Sequence, residues 1–202
     1  MLSCAIFLNL EATKTKPNAS PSRGIMTDQE LVQACLRKDP KAQRALYDQF
    51  AGKMMGVCLR YVKDQIDAQD VLQEGFIRVF EKLNQYSGKG SLGGWIRMIM
   101  INTALIMIRK KKKFSHHEEF SDAVEFTRED YGILDSLGAE EIIKLIQQLP
   151  DGYRTVFNLY AIEGYSHKEI GQMLGVSEST SKTQFFKAKK HLKKAITLLD
   201  QI

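Results

Sequence analysis

The sequence lacks most of what marks an enzyme, a secreted protein or a membrane protein. No segment alternates apolar and polar residues for long enough to specify a β-strand. Three cysteines occur, Cys4, Cys35 and Cys58. Their odd number and their spacing exclude a disulfide framework and fit neither a metal site nor a redox motif. Cys35 and Cys58 fall on apolar helical faces and are expected to be buried, inert thiols of a reducing cytosol. No run approaches the roughly 18–20 apolar residues of a membrane span. The apolar opening, Met1 to Leu8, lacks the basic segment and cleavage site of a secretory signal. A cytoplasmic protein without membrane insertion of its own is therefore expected. No metal-ligand, phosphate-loop or nucleophile pattern is present. The four histidines are dispersed: His116 and His117 in a polar stretch, His167 at a helix start and His191 on an expected exposed basic face. No catalytic residue, metal or cofactor is expected, and the chain is read as no enzyme.

What is present is segregated charge. The net charge is +5, which suits a polyanionic partner without establishing one. Between positions 97 and 113 stand Arg97, Arg109 and Lys110 to Lys113, with no acidic residue among them. From 114 to 141 nine carboxylates face Arg128 alone, and from 165 to 202 seven lysines face Glu169, Glu178 and Asp200. Basic, acidic, basic is a modular layout.

Apolar periodicity is helical nearly throughout, so the expected fold is all-α: two small helical domains joined by a flexible acidic linker. Residues 1–25 read as a disordered leader or an upstream extension of the start, and 26–113 as a first helical domain. The linker is 114–135 and the second domain 136–202. Thr27 with Glu30 forms a capping box. Asp39-Pro40 supplies an N-cap and a first-turn proline for a helix to about Tyr61. The apolar face of that helix is Ala42, Leu46, Phe50, Met54, Val57, Cys58 and Tyr61. Asp64 caps a third helix with the stripe Ala68, Leu72, Phe76, Val79, Phe80 and Leu83. A glycine-bearing loop precedes a fourth, capped by Ser91 and carrying Trp95, Ile99 and Met100.

Ser166 to Leu192 carries the most specific pattern. A second capping box, Ser166 with Glu169, opens a helix of about eight residues that stops at Gly175, and Ser177 caps a longer basic helix. This is a helix-turn-helix, with Gly175 supplying the left-handed turn. Ala161, Ile170, Leu174, Val176, Phe185, Ala188 and Leu192 are its expected small core. The second helix presents Glu178, Ser179, Thr180, Lys182, Thr183, Gln184 and Lys187 near its amino-terminal end, the part that enters a major groove.

Upstream, Asp67-Ala68-Gln69-Asp70-Val71-Leu72-Gln73-Glu74-Gly75-Phe76 resembles region two of bacterial RNA polymerase sigma factors. Trp95, Asn102 and the basic cluster after them look like that family's promoter-melting helix. Gly164 through Lys187 is similar to its region four. Two regions in this order, without further domains, resemble the extracytoplasmic-function (ECF) group. The resemblance implies a subunit that binds core polymerase and recognises the minus-ten and minus-thirty-five promoter elements, promoting DNA melting. Its implied partners are the clamp coiled coil of the largest subunit, the flap, promoter DNA and an anti-sigma factor. Implied polymerase contacts are Asp67, Asp70, Gln73 and Glu74. Implied minus-ten contacts are Tyr86, Lys89, Trp95, Arg97, Asn102 and Arg109, and the helix-turn-helix residues above fall to the minus-thirty-five element. The acidic linker, resembling nucleic acid electrostatically, is expected to occupy a basic polymerase channel. Gly93-Gly94, Ile106 and Ser181 depart from the family pattern, the glycines weakening a helix start. A stand-alone helix-turn-helix regulator is the alternative, though it leaves the Asp70/Gln73/Glu74 face unexplained.

Overall fold

In the computed structural model, residues 26–114 and 139–199 are described. The expected leader, and the linker beyond Phe114, lie outside them. Eight α-helices and no strand occur among the described residues. The first unit contains α1 (Asp28–Leu36), α2 (Pro40–Tyr61), α3 (Gln65–Lys82) and α4 (Leu92–Phe114). The second contains α5 (Ala139–Gln148), α6 (Asp151–Phe157), α7 (His167–Leu174) and α8 (Glu178–Leu199).

The helix starts follow local chemistry. Thr27 and Glu30 close a reciprocal capping box, and the Asp39 carboxylate accepts from the Lys41 amide at 2.9 Å beside the first-turn proline. Asp64 accepts from Asp67 N at 2.7 Å, and Ser91 accepts from Gly94 N at 3.1 Å. Gly93 and Gly94 both lie inside α4 rather than delaying it. A Cβ on Gly93 would stand 3.0 Å from a Phe50 ring carbon, so that glycine lets α4 approach α2 closely. Gly75 does the same where α3 crosses Met100, since a Cβ there would collide with the methionine side chain.

All seven expected apolar residues of α2 are buried, as are Ala68, Leu72, Phe76, Val79 and Leu83. They pack with Leu92, Ile96, Met100, Ile101, Ala104 and Leu105 of α4. Each large apolar side chain taken from water contributes about 1.5–3 kcal/mol. Leu92–Lys111 is long and apolar enough to cross a membrane. This corrects the expectation that no segment reaches that threshold; here the apolar side of the helix is spent on the core. Cys35 and Cys58 are buried, and desolvation pushes their thiols up to about 11 and about 12.

The two units share one core. Val156, Leu159 and Ile170 of the second join the buried cluster of the first, while Leu149, Tyr153 and Ala188 form a smaller cluster with Phe157 and Leu192. Helix α6 does not run regularly to Ile162: it widens into a π-turn over Asn158–Ile162, ended by Gly164 at φ +80°. At this junction the last carbonyls of α2, which lack partners within their own helix, accept side chains from the second unit. Leu59 O accepts from Gln147 at 2.9 Å, Arg60 O from Asn158 at 2.6 Å, and Tyr61 O from Arg154 Nε at 3.0 Å. Arg154, 2% exposed, also donates to the carbonyls of Gln147 and Leu149 and pairs with Asp151 at 2.5 Å. Burial holds its pKa below the usual arginine value, Asp151 opposing.

Replacing Arg154 by alanine strands several buried carbonyls and is expected to cost on the order of 3 kcal/mol. Arg154→Lys is expected to recover less than half of it, because an ammonium does not reproduce the planar fork. Urea unfolding of the three proteins measures both.

Candidate nucleic-acid interface

On α3, Asp70, Gln73 and Glu74 are exposed and lie opposite the buried stripe, as the helical period requires. Glu74 pairs with Arg78 at 2.9 Å one turn on. Asp67 is half-buried and paired with Lys111 of α4, so it is tied to the fold in a way its three companions are not. Ile66 and Ile77 are 73% and 43% exposed. Spaced at 66, 70, 73 and 77, they make one continuous stripe with Asp70 and Gln73. The sequence reading missed both isoleucines, although the same spacing that placed Asp70 on the outer face would have found them.

The residues singled out around α4 are not in one state. Lys89 and Asn102 are exposed. Tyr86 donates to Gly90 O at 2.8 Å, bracing a loop in which Gly88 and Gly90 both have positive φ. Its ring lies 5.6 Å from that of Trp95, which is half-buried against the core. Trp95 packs here. Arg97 points at the second unit and makes a bidentate pair with Glu163 at 2.6 and 2.7 Å. That hydrogen-bonded carboxylate raises the Arg97 pKa against desolvation. Arg109 donates to Met173 O. Two of the six expected strand contacts are thus engaged by the second unit.

The helix-turn-helix has the expected construction. Ser166 and Glu169 close the capping box, Gly175 adopts φ +69°, and Thr180 N donates to Ser177 Oγ at 3.0 Å. Gly171 is equally constrained, because a Cβ there would meet Val176 O at 2.8 Å. Glu178, Ser179, Thr180, Lys182 and Thr183 are exposed, and Gln184 and Lys187 are partly covered. Glu178 pairs with Lys182 at 2.7 Å. Phe186 is 65% exposed, sharing an edge with Ser179, Lys182 and Thr183. Its exposure follows from the period that buries Ser181 and Ala188, and the sequence reading did not single it out.

Two expectations here are corrected. Ala161 is exposed, because the π-turn rotates it away from α7 and α8. His191 is partly covered and lies 5.7 Å from the Tyr153 ring rather than on an open basic face. Ser181 is buried and polar-satisfied: its hydroxyl shares a 2.9 Å hydrogen bond with His167 Nδ1. The His167 ring stacks on Tyr160 at 4.2 Å, tying the first helix of the motif to the second and to the π-turn. No group of three or more metal-ligating side chains occurs among the described residues.

A short capped helix, a glycine turn and a basic helix with an exposed polar edge define a helix-turn-helix DNA-binding protein that carries a second helical unit. The family model for Sigma-70 region 2 matches residues 46–114, and that for Sigma-70, region 4 matches 139–192. The RNA polymerase sigma-H factor of Pseudomonas aeruginosa is 28% identical over 180 residues, 84% of this chain and 93% of the relative. The ECF RNA polymerase sigma-E factor of Haemophilus influenzae is 25% identical over 185 residues, covering 85% and 96%. A solved sigma factor RpoE from Bartonella quintana, in complex with the anti-sigma factor NepR, is similar at 17% identity and TM-score 0.49 over 76% of this chain and 96% of that one. The chain belongs to the sigma-70 family of RNA polymerase sigma factors, in its ECF group. Its function is that of a sigma factor in transcription initiation, and the stand-alone regulator is not favoured, since region 2 accounts for the first unit.

Burial, then the Lys182 charge, lowers the His167 pKa below its ordinary 6.5. The unfolded chain therefore binds the proton first as pH falls, and stability declines from about pH 6.5 down through the lowered native value. Urea unfolding at pH 7.5 and 5.5 is expected to show a loss that His167→Gln lacks.

Proposed function

We propose that the first unit attaches the chain to core RNA polymerase through an acid and amide stripe on α3, with exposed isoleucines at its ends. Asp70, Gln73 and Glu74 carry the polar part; Asp67, held by Lys111, sets the edge of the same face. Ile66 and Ile77 supply apolar area to what is otherwise a charged contact. The partner surface is basic, as expected of the largest subunit's clamp coiled coil. The observation that carries this reading is the exposure of Asp70, Gln73 and Glu74 together, since a face built only for the fold has no need of two isoleucines beside it.

The minus-ten element falls to the α4 side of the same unit. Lys89 and Asn102 are open to a displaced strand; Arg97 and Arg109 join them once released from the second unit. Stacking, polar edges and nearby cations suit unpaired bases. Tyr86 and Trp95 brace the loop and α4 beneath them. The second unit, 136–202, reads the minus-thirty-five element as duplex through Ser179, Thr180, Lys182, Thr183, Gln184 and Lys187, with Glu178 orienting Lys182. Phe186 adds an apolar contact that suits a thymine methyl. This unit also meets the polymerase flap. The acidic stretch 114–135 tethers the two, so that binding by one raises the effective concentration of the other. The chain supplies binding and melting in the cytoplasm, and nucleotide addition belongs to the polymerase core. Family membership adds an anti-sigma factor as a regulatory partner.

Two measurements test the assignment. Reversing both charges, Asp70→Lys with Glu74→Lys, is expected to weaken retention on core polymerase at least tenfold while the thermal melt stays put. Retention at full strength would refute the docking face. Lys182→Ala is expected to lower duplex promoter affinity about tenfold and leave core attachment unchanged, read by fluorescence anisotropy and co-purification respectively.

A further inference from the structure

We infer that His167 is a positioning residue for promoter reading: bonded to Ser181 from inside the motif, it fixes the rotation of α8 and with it the selectivity of the exposed edge. The inference rests on the assignment of α8 as the base-reading helix, because rotation matters only to a helix that reads bases.

The bond is not the one a helix makes by default. Thr103, Thr183 and Thr197 turn their hydroxyls back to the carbonyl four residues earlier, at 2.8, 3.0 and 3.0 Å. Ser181 is fully buried and turns instead to His167 Nδ1, at 2.9 Å. A buried hydroxyl hydrogen needs an acceptor, and Nδ1 supplies it. Ser181 therefore donates, and the neutral ring carries its own hydrogen on Nε2. The ring is held in turn by Tyr160, stacked on it at 4.2 Å and within 11° of parallel.

Position gives the bond its consequence. Ser181 lies on the inner side of the same turn that presents Glu178, Ser179, Lys182 and Thr183 outward. Farther along, α8 is held by Phe185 against Tyr160 and Phe157, and by Ala188 beside Leu149 and Tyr153. Those contacts are apolar and non-directional, so they tolerate a small rotation. A hydrogen bond does not, since it weakens steeply once misaligned. Rotating a helix of about 5–6 Å radius by about 15° carries its side-chain tips through about 1.5 Å. That breaks a hydrogen bond to a base edge, while attraction to phosphate is barely changed. Losing the tie thus costs selectivity more than affinity.

Protonation removes it reversibly, because Nδ1–H is a donor and no longer accepts from Ser181. The groups around the ring are Tyr160 from the π-turn, Glu178 and Lys182 from α8, and Lys168 and Glu169 on α7 itself, where Glu169 is engaged in the capping box. Burial and then Lys182 outweigh Glu178 and favour the neutral ring. The tie is complete at neutral pH and is lost as pH falls through the lowered value.

The test uses the full chain assembled with core polymerase. Wild type first selects a minus-thirty-five element from a randomised duplex library; the measured quantity is the ratio of affinities for that duplex and a scrambled one. His167→Ala and Ser181→Ala are each expected to lower the ratio about fivefold, with affinity for the scrambled duplex and core attachment unchanged. The double variant is expected to be no worse than the worse single one, because both break the same bond. His167→Asn, whose amide oxygen falls near the place of Nδ1, is expected to recover most of the ratio. Between about pH 7.5 and about pH 5 the wild-type ratio is expected to fall and that of His167→Asn to stay level. Should His167→Ala unfold the motif in a thermal melt, the wild-type pH profile and Ser181→Ala decide. A ratio unchanged in the single variants, or a wild-type ratio level across that pH range, would overturn the tie and leave base reading by α8 in place. If no preferred element emerges from the library, base reading by α8 is refuted and the tie with it.

Discussion

The carboxyl end of α2 is the point on which the rest of the molecule turns. Every α-helix ends with carbonyls that its own backbone cannot satisfy, and most proteins finish them with a glycine turn or water. Here Leu59, Arg60 and Tyr61 hand theirs to Gln147, Asn158 and Arg154, side chains from the other half of the chain. A local requirement of one helix has become a long-range contact between two units. The contact is directional, because amide and guanidinium N–H groups donate to three successive carbonyls.

Around that joint, each unit is organised by a different economy of residues. The first is a bundle whose long helices α2, α3 and α4 approach closely at Gly75 and Gly93. Its outer surfaces are then free for charge: acid and amide on α3, basic on α4. The second unit is small and has few large side chains wholly inside. Its shape rests on capping at Ser166, the left-handed turn at Gly175, the tight approach at Gly171 and the His167–Ser181 hydrogen bond. Such a motif holds a recognition helix at a defined angle with little core, which is why Val156, Leu159 and Ile170 can also contribute to the neighbouring cluster.

Local structure was legible in the residues because local rules decide it. Thr27, Asp39-Pro40, Asp64, Ser91, Ser166 and Gly175 each act within four positions, and the helix boundaries fall beside them. The polar site residues on α3 and α8 were readable for the same reason, since period alone puts Asp70 and Lys182 on outer faces. What escaped was whatever depends on the other unit. Arg154 looks like one more surface cation until α2 is placed beside it, and Arg97 gives no sign in sequence of meeting Glu163. Ala161 was misjudged because a π-turn has no sequence rule of its own. Ile66 and Phe186 were not singled out, although the same helical period places both on outer faces.

That widened turn over Asn158–Ile162 has an evolutionary consequence. A π-turn carries one residue more than regular helix needs, and each α-helical residue advances about 100° around the axis. Losing a single codon there would restore an ordinary helix and swing Glu163 about a quarter-turn away from Arg97. The recognition helix would keep its own caps, turn and exposed edge. Lineages could thus set how tightly the halves embrace by one insertion or deletion, leaving untouched the sequences that choose a promoter.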